Sequence, residues 1–146
     1  AHIVLLRELP VEGVLAVFTV LLAVFADDTA AYFVGRMVGR HKLAPTISPG
    51  KTWEGFVAGS AAAIFVSWIA LYETGFMDGY RSIVLGAVIA LAAPLGDLFE
   101  SAVKRDAEVK DAGNLLGAHG GMLDRLDAHL FAAVAAYYVI AAFGFA

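Results

Sequence analysis

Apolar residues are gathered into four runs, each about as long as a helix that crosses a bilayer. The runs cover residues 11–35, 55–72, 82–104 and 122–146. The second run holds no charged residue, whereas the other three combine an apolar stretch with charged positions. Because proline removes a backbone hydrogen bond, we expect the third helix to be broken near Pro94. The pattern predicts an all-α fold, a polytopic transmembrane bundle of about four spanning helices.

The composition favours lipid as the solvent for much of the surface. Of the 146 residues, 60% are hydrophobic and 16% are charged, against about 45–50% and about 25% in ordinary soluble domains. A soluble bundle would need amphipathic stripes, and the second run has none. The absence of cysteine excludes disulfides, thiolate metal ligands and thiol nucleophiles. The chain begins without methionine and its start lacks signal-peptide features, so we expect a fragment or a processed chain.

Basic residues are concentrated on one side of the predicted bundle. Successive spans alternate in direction, so the loops at 37–52 and 105–121 share a face, and the loop at 73–81 lies on the other. The shared face, with its helix ends, carries eight basic residues: Arg36, Arg40, Lys42, Lys51, Lys104, Arg105, Lys110 and Arg125. Only Arg7 and Arg81 remain for the opposite face. Because positively charged loops stay in the cytoplasm, we expect an integral inner-membrane protein whose active site faces the cytoplasm.

Six acidic residues lie toward the cytoplasmic ends of the predicted helices: Asp27, Asp28, Asp97, Glu100, Asp124 and Asp127. A charge costs roughly 2.5–3.5 kcal/mol at the centre of a membrane helix, so their common depth favours one polar pocket. A helix dipole or a local ion pair would explain one or two of them, but not the whole set without enough nearby cations. Clustered carboxylates are the usual ligands of Mg²⁺, and we expect the pocket to bind that ion.

The loop before the second run has the features of a phosphate-binding turn. Its Gly50-Lys51-Thr52 resembles part of a P-loop, but a P-loop would need a preceding strand and a glycine where Pro45 stands, so that motif is rejected. What remains is a Pro-Gly turn with a lysine and hydroxyl groups at a helix N-terminus. Such a turn can cradle phosphate.

Glycines mark two further places of close approach. The turn His119-Gly120-Gly121 precedes the fourth run and lets the backbone come close to a ligand. Two glycine pairs have the four-residue spacing with which helices pack closely in lipid. These pairs are Gly35 with Gly39 and Gly55 with Gly59.

The most specific pattern lies toward the end of the chain. Ser101-Ala-Val-Lys104-Arg105 is followed by Lys110-Asp111, Gly113, Gly117, His119-Gly120-Gly121 and Asp124-Arg125-Leu126-Asp127. In residue types and spacing, this stretch resembles the signature of the phosphatidate cytidylyltransferases, or CDP-diacylglycerol synthases. Residues 28–36 and 48–55 also resemble characteristic segments of that family, so the resemblance covers about residues 24–146.

The resemblance implies a reaction and a set of partners. CTP and phosphatidic acid would condense to CDP-diacylglycerol and pyrophosphate, with Mg²⁺ required and K⁺ also used. Family members are dimeric, polytopic and longer than this chain. Residues 1–146 are therefore expected to form a single transmembrane catalytic region, the C-terminal half of a longer enzyme without its N-terminal helices. The expected partners are both substrates, membrane lipid and a second copy of the chain, with no nucleic acid.

The resemblance also implies roles for individual residues. The implied metal ligands are Asp97, Asp124 and Asp127. The implied nucleotide side comprises Ser48, Lys51, Thr52 and Glu54. Because both substrates are anionic, we expect catalysis to depend on the three aspartates together with Lys104, Arg105 and Arg125. Further nucleotide contacts are expected from Lys110, Asp111, His119, Gly120 and Gly121. Whether Asp27 joins the pocket is left open.

Two other functions fit parts of the pattern. A CTP-dependent polyprenol or phytol kinase resembles the family in its membrane core, but it releases CDP, and the complete signature favours a cytidylyltransferase that releases pyrophosphate. A cation transporter would place acids near mid-membrane, with few cationic partners and an internal repeat. Here the acids lie at the basic face and no repeat is found, so the cytidylyltransferase interpretation is preferred.

Overall fold

The structure is a computed structural model that describes residues 2–72, 74–107 and 123–145, the first three of the last range in backbone only. Within these residues the elements are α1 (His2–Arg7), α2 (Gly13–Val38), β1 (Lys42–Ala44), β2 (Ser48–Thr52), α3 (Trp53–Leu71), α4 (Gly79–Asp106) and α5 (Leu123–Ala142). Three of them, α2, α3 and α4, are long and apolar enough to cross a membrane, and Leu126–Ala142 forms a shorter apolar helix. The prediction of a polytopic helical membrane protein is confirmed.

The four predicted spans correspond to α2, α3, α4 and α5, with modest shifts at their ends. Three elements were not predicted: α1 and the two strands of a hairpin. The short helix α1 lies below the length that hydropathy can detect, and it is held by packing of its buried Leu6. The loop between the first two spans folds as an antiparallel hairpin of β1 and β2, with Lys42 opposite Thr52 and Ala44 opposite Ser48.

The predicted break in the third span is wrong. The helix α4 runs as one element from Gly79 to Asp106 with Pro94 inside it. The fixed φ of proline, about −65°, suits a helix, so its cost is confined to one lost N–H donor and crowding of the preceding turn. The buried residues Ala90 and Ala93 lie just before Pro94, and α4 packs against both α3 and α5. Packing within the bundle therefore keeps this turn helical.

Small residues are frequent in the interior of the bundle, and many large apolar residues point outward. The buried residues of α5 include Ala128, Ala132, Ala133, Ala136 and Ile140. In contrast, Phe18, Leu22 and Phe25 on α2 are each more than half exposed. In water this arrangement would leave aromatic surface unburied. Lipid tails are as apolar as these side chains, and close helix packing in lipid favours small residues, so the packing agrees with a lipid-facing surface.

The glycines of α3 face α2, as their spacing predicts. A β-carbon on Gly55 would lie 2.6 Å from the carbonyl oxygen of Ala31 and 3.3 Å from the α-carbon of Gly35. A β-carbon on Gly59 would lie 2.6 Å from a carboxylate oxygen of Asp27. These distances are too short for any larger residue without movement of a helix. The glycines therefore set how closely α2 and α3 approach.

The two ends of the bundle have different chemistry. The hairpin connects α2 to α3 at one end. At the other end, the guanidinium of Arg81 lies 5.6 Å from the ring centre of Phe143 and 5.5 Å from that of Phe145. The ring of Phe145 also contacts that of Phe76 at 5.0 Å. The start of α4 and the end of α5 therefore meet at the end opposite the hairpin, as alternating helix directions require.

Candidate active site

A cavity of about 600 Å³ lies at the hairpin end of the bundle. Its wall is formed by α2, the hairpin, the first turn of α3 and the part of α4 near Pro94. Three acidic and three basic side chains line it: Asp27, Asp28, Asp97, Arg36, Lys42 and Lys51. Apolar side chains, among them Ala31, Leu43 and Phe56, form another part of the wall. The cavity thus combines an ionic region with an apolar one, as a site for an amphipathic ligand would.

Thr52 connects the hairpin to the bundle. It is the last residue of β2 and the N-cap of α3, where its hydroxyl oxygen accepts a hydrogen bond of 3.1 Å from the N–H of Gly55. Threonine is favourable at this position because it satisfies a helix N–H that has no partner within the helix. Its side chain also lies against α2, since β-carbons on Gly35 and Gly39 would come within 2.9 and 2.7 Å of it. Glycine at these positions lets the hairpin lie directly on α2.

Lys51 extends from the hairpin to α4. Its Nζ lies 2.6 Å from Oδ2 of Asp97 and donates a hydrogen bond of 3.4 Å to the carbonyl oxygen of Pro94. The other carboxylate oxygen of Asp97 accepts a hydrogen bond of 3.4 Å from the hydroxyl of Ser101. The side chains of Lys51 and Asp97 are 23% and 35% exposed, so water screens the pair only in part. Two residues that the sequence assigns to nucleotide and metal are therefore in direct contact.

Two adjacent acids of α2 line the same cavity. Asp27 is buried, and within the described residues its Oδ1 has no hydrogen-bond partner. Asp28 is more exposed. The charges that act on Asp28 come from the hairpin, α4 and α5, and belong to Lys51, Asp97, Asp127 and His129. Asp27, whose membership of the pocket the sequence left open, is among the residues that line the cavity.

The backbone of Asp127 on α5 lies beside Gly96 of α4, the residue that precedes Asp97. A β-carbon on Gly96 would be 2.8 Å from the carbonyl oxygen of Asp127, so the two backbones are in close contact there. The carboxylate of Asp127 accepts a hydrogen bond of 2.7 Å from the N–H of Ala128. Glycine at position 96 is therefore what allows the helices carrying Asp97 and Asp127 to approach closely.

The basic end of α4 continues away from the cavity. Nζ of Lys104 lies 3.3 Å from Oε1 of the buried Glu100, one helical turn earlier. Arg105 is exposed near the end of the helix. Both cations lie about two turns beyond Asp97 along α4. Lys104 and Arg105 therefore place positive charge near the end of α4, beyond the cavity.

The predicted site residues fall into four groups. Ser48, Lys51, Thr52 and Asp97 line the cavity. Glu54 instead contacts His41, whose Nδ1 lies 2.7 Å from its Oε1. Lys104, Arg105 and Asp127 are described but are not among the residues that line the cavity. The other predicted positions lie outside the described residues: Lys110, Asp111, His119, Gly120 and Gly121, together with the side chains of Asp124 and Arg125. The roles assigned to all these residues stay predictions.

The predicted metal site also stays a prediction. Within the described residues, no group of three or more histidine, aspartate or glutamate side chains is arranged to hold a metal ion. The predicted triad includes Asp124, whose side chain is outside that part of the chain. Its other members, Asp97 and Asp127, lie on packed helices.

Among the cavity residues that were not assigned to the site from sequence, three have a hydroxyl or basic side chain. Tyr32, Arg36 and Lys42 line the cavity, and the hydroxyl of Tyr32 accepts a hydrogen bond of 2.9 Å from Arg36. A sequence signal existed, because Asp28 and Tyr32 already form an i, i+4 pair and one further turn along the same face reaches Arg36. Lys42 gave no such signal, because the hairpin that directs it was not predicted.

Fold and cavity together define a class: a polytopic helical membrane protein with an ionic, partly apolar cavity at one end of its bundle. Comparison with known proteins identifies the family. The model of the Cytidylyltransferase family matches residues 2–143. The chain belongs to the cytidylyltransferase family, and the resemblance found in the sequence is confirmed.

Three similar curated proteins have the same name, phosphatidate cytidylyltransferase. A phosphatidate cytidylyltransferase of Mycobacterium bovis is 44% identical over 135 residues, which cover 90% of this chain and 43% of the relative. Proteins of the same name from Bacillus subtilis and Staphylococcus aureus are 39% identical over 139 residues and 42% identical over 121 residues. These alignments cover 94% and 82% of this chain, and 52% and 46% of the relatives. The chain thus spans about half the length of the curated relatives it matches.

Proposed function

We propose that this chain forms the catalytic region of an enzyme that condenses CTP with phosphatidic acid to CDP-diacylglycerol and pyrophosphate, a step of phospholipid biosynthesis. One observation carries the proposal: the family match spans residues 2–143 and so includes every residue that lines the cavity. The cavity has an ionic region for phosphates and an apolar region for the lipid. On this proposal, residues 1–146 are one transmembrane catalytic region, the C-terminal part of a longer protein.

The chemistry requires alignment of two anions. A phosphate oxygen of phosphatidic acid attacks the α-phosphorus of CTP, and pyrophosphate leaves. Because phosphatidic acid supplies the attacking oxygen, no nucleophilic side chain is needed, and the barrier comes mainly from charge repulsion and alignment. Lys51 lies in the cavity and can exchange its contact with Asp97 for a phosphate oxygen. Arg36 and Lys42 add positive charge to the same wall.

The donor chemistry fits a Mg²⁺ ion. Carboxylate oxygens are the ligands that this hard cation prefers, and the buried Asp27 carries an oxygen without a partner in the described part of the chain. On this proposal Asp97, Asp124 and Asp127 hold the ion, and K⁺ also contributes. When bound, Mg²⁺ would neutralise phosphate charge and act as a Lewis acid. Lys104, Arg105 and Arg125 would pair with phosphates of the two substrates.

The proposed setting is the inner membrane, with the cavity open to the cytoplasm and the acyl chains of the substrate in lipid. The basic residues at the hairpin end support this orientation. CTP would enter from water at that end. A homodimer is proposed as the assembly, by analogy with the family.

The proposal can be tested in liposomes that contain the full-length protein, phosphatidic acid, Mg²⁺ and CTP labelled in the α-phosphate. Label should appear in a lipid and pyrophosphate should be released, whereas a lipid kinase would release CDP. Asp97→Asn, Asp124→Asn and Asp127→Asn should each reduce lipid labelling to background at normal expression. Substantial turnover in all three variants would remove the metal assignment, and absence of labelled lipid with the unmodified protein would remove the function.

A further inference from the structure

The carboxylate of Glu54 contacts His41 through the backbone and the side chain of that residue. Both oxygens of its carboxylate lie 3.3 Å from the backbone N–H of His41, which donates to them. The Oε1 atom also lies 2.7 Å from Nδ1 of the His41 ring. Glu54 does not belong to the residues that line the cavity. Its carboxylate therefore points to the base of the hairpin and not to the space that would hold the nucleotide.

The two residues stand at the two ends of the hairpin. His41 directly precedes β1, and Glu54 lies in the first turn of α3, just after β2. The backbone N–H of Trp53 donates a hydrogen bond of 2.9 Å to the carbonyl oxygen of His41. The strands are therefore tied together at their base by backbone and side-chain contacts. We call the contact between Glu54 and His41 the hairpin clasp.

The hairpin is small, and its strand pairing is irregular. Its strands contain 3 and 5 residues, and the pairing register shifts between Lys42 and Ala44. Isolated two-stranded hairpins are marginally stable. On one side, Thr52 lies against glycines of α2. Lys51, the neighbour of Thr52, must extend from this small element to Asp97, a contact of 2.6 Å that a shift of the hairpin would break.

We propose that Glu54 is a positioning residue: the hairpin clasp fixes the base of the hairpin so that Lys51 reaches the cavity, and Glu54 itself does not contact the nucleotide. This assignment differs from the one implied by the family resemblance, which places Glu54 on the nucleotide side. The expected loss of catalytic activity on removal of the clasp rests on the proposed function. The expected loosening of the hairpin does not depend on that function.

The first experiment measures kcat and KM for CTP in liposomes. Glu54→Ala should lower kcat/KM by about 10- to 100-fold, the loss expected when a reacting group is misplaced by about 1 Å. Glu54→Gln should recover most of this loss, because its amide oxygen still accepts from the N–H of His41. In a Lys51→Met background, Glu54→Ala should cause no further loss, since it acts through Lys51. An additional loss in that background, or an equal loss for Glu54→Gln and Glu54→Ala, would mean that the carboxylate contacts substrate, and would overturn the proposal.

The second experiment does not need activity. The chain has no cysteine, so a spin label on Gly50→Cys, where a β-carbon meets nothing within 4 Å, reports hairpin mobility by electron paramagnetic resonance. Glu54→Ala should make the label more mobile, and the exposed His41→Ala should do so to a smaller extent because its backbone N–H remains. An unchanged spectrum in both variants would overturn the clasp. If the unmodified protein makes no CDP-diacylglycerol, the proposed function fails, whereas this spectrum still decides the role of Glu54.

Discussion

The crossing of α2 and α3 offers the sharpest test of the packing. Gly55 lies where the helices touch, and a β-carbon there would be 2.6 Å from the carbonyl oxygen of Ala31 and 3.0 Å from the hydroxyl of Thr52. The first of these partners is backbone and cannot rotate away. Gly55→Ala must therefore push α3 away from α2 by several tenths of an ångström.

Two opposing effects set the change in the free energy of unfolding that Gly55→Ala causes. Overpacking a close contact costs about 1–3 kcal/mol, and a backbone partner places this site near the upper end. Replacing glycine by alanine inside a helix stabilises the helix by about 1 kcal/mol. The net loss is then about 2 kcal/mol, which corresponds to a fall of about 5 °C in Tm for a chain of this size.

A matched control is available at the start of α4. A β-carbon on Gly79 would meet its nearest neighbour, Nε1 of Trp68, at 3.5 Å, an ordinary contact. Gly79→Ala should therefore leave Tm unchanged or slightly higher. Unfolding can be followed in detergent by the fluorescence of the two tryptophans, Trp53 and Trp68, both on α3. If Gly55→Ala melts within about 1 °C of Gly79→Ala, the close crossing of α2 and α3 is wrong.

Three further predictions concern the cavity. Lys51→Met should lower kcat/KM for CTP by about 10- to 100-fold, because a hydrogen bond to a charged group contributes about 1.5–3 kcal/mol; unchanged kinetics would show that Lys51 does not reach substrate. Gly96→Ala should lower Tm and activity, because its β-carbon would lie 2.8 Å from the carbonyl oxygen of Asp127. The outward-facing Leu95→Ala is its control, and equal behaviour of the two variants would contradict the contact between α4 and α5. Removal of Mg²⁺ with a chelator should reduce lipid labelling to background and its return should restore labelling, whereas full activity in the chelator would exclude a required divalent ion.

Much of the fold could be predicted from sequence because the spans depend on local composition. An uncharged run such as residues 55–72 has one stable structure in lipid, a helix that satisfies its own backbone. The same holds for the glycine spacing, since Gly55 and Gly59 do face α2. The prediction failed at Pro94, where a local rule was overridden by packing of α4 between α3 and α5.

The site was predicted less completely. Acids at a common depth indicated one pocket, and Asp27, Asp28 and Asp97 do line one cavity. Spacing along one chain cannot show that Lys51 would pair with Asp97, because these residues are far apart in sequence and meet only through a hairpin. For the same reason, Glu54 could not be recognised as a partner of His41.

The sequence by itself determined that this protein lies in a membrane, where its spans run and which family it belongs to, because hydropathy, spacing and signature residues are properties of the chain alone. Only the tertiary structure decided which charges meet. A carboxylate or an ammonium group takes its role from the groups within a few ångströms of it, and here those groups come from different helices and a hairpin brought together by glycine contacts.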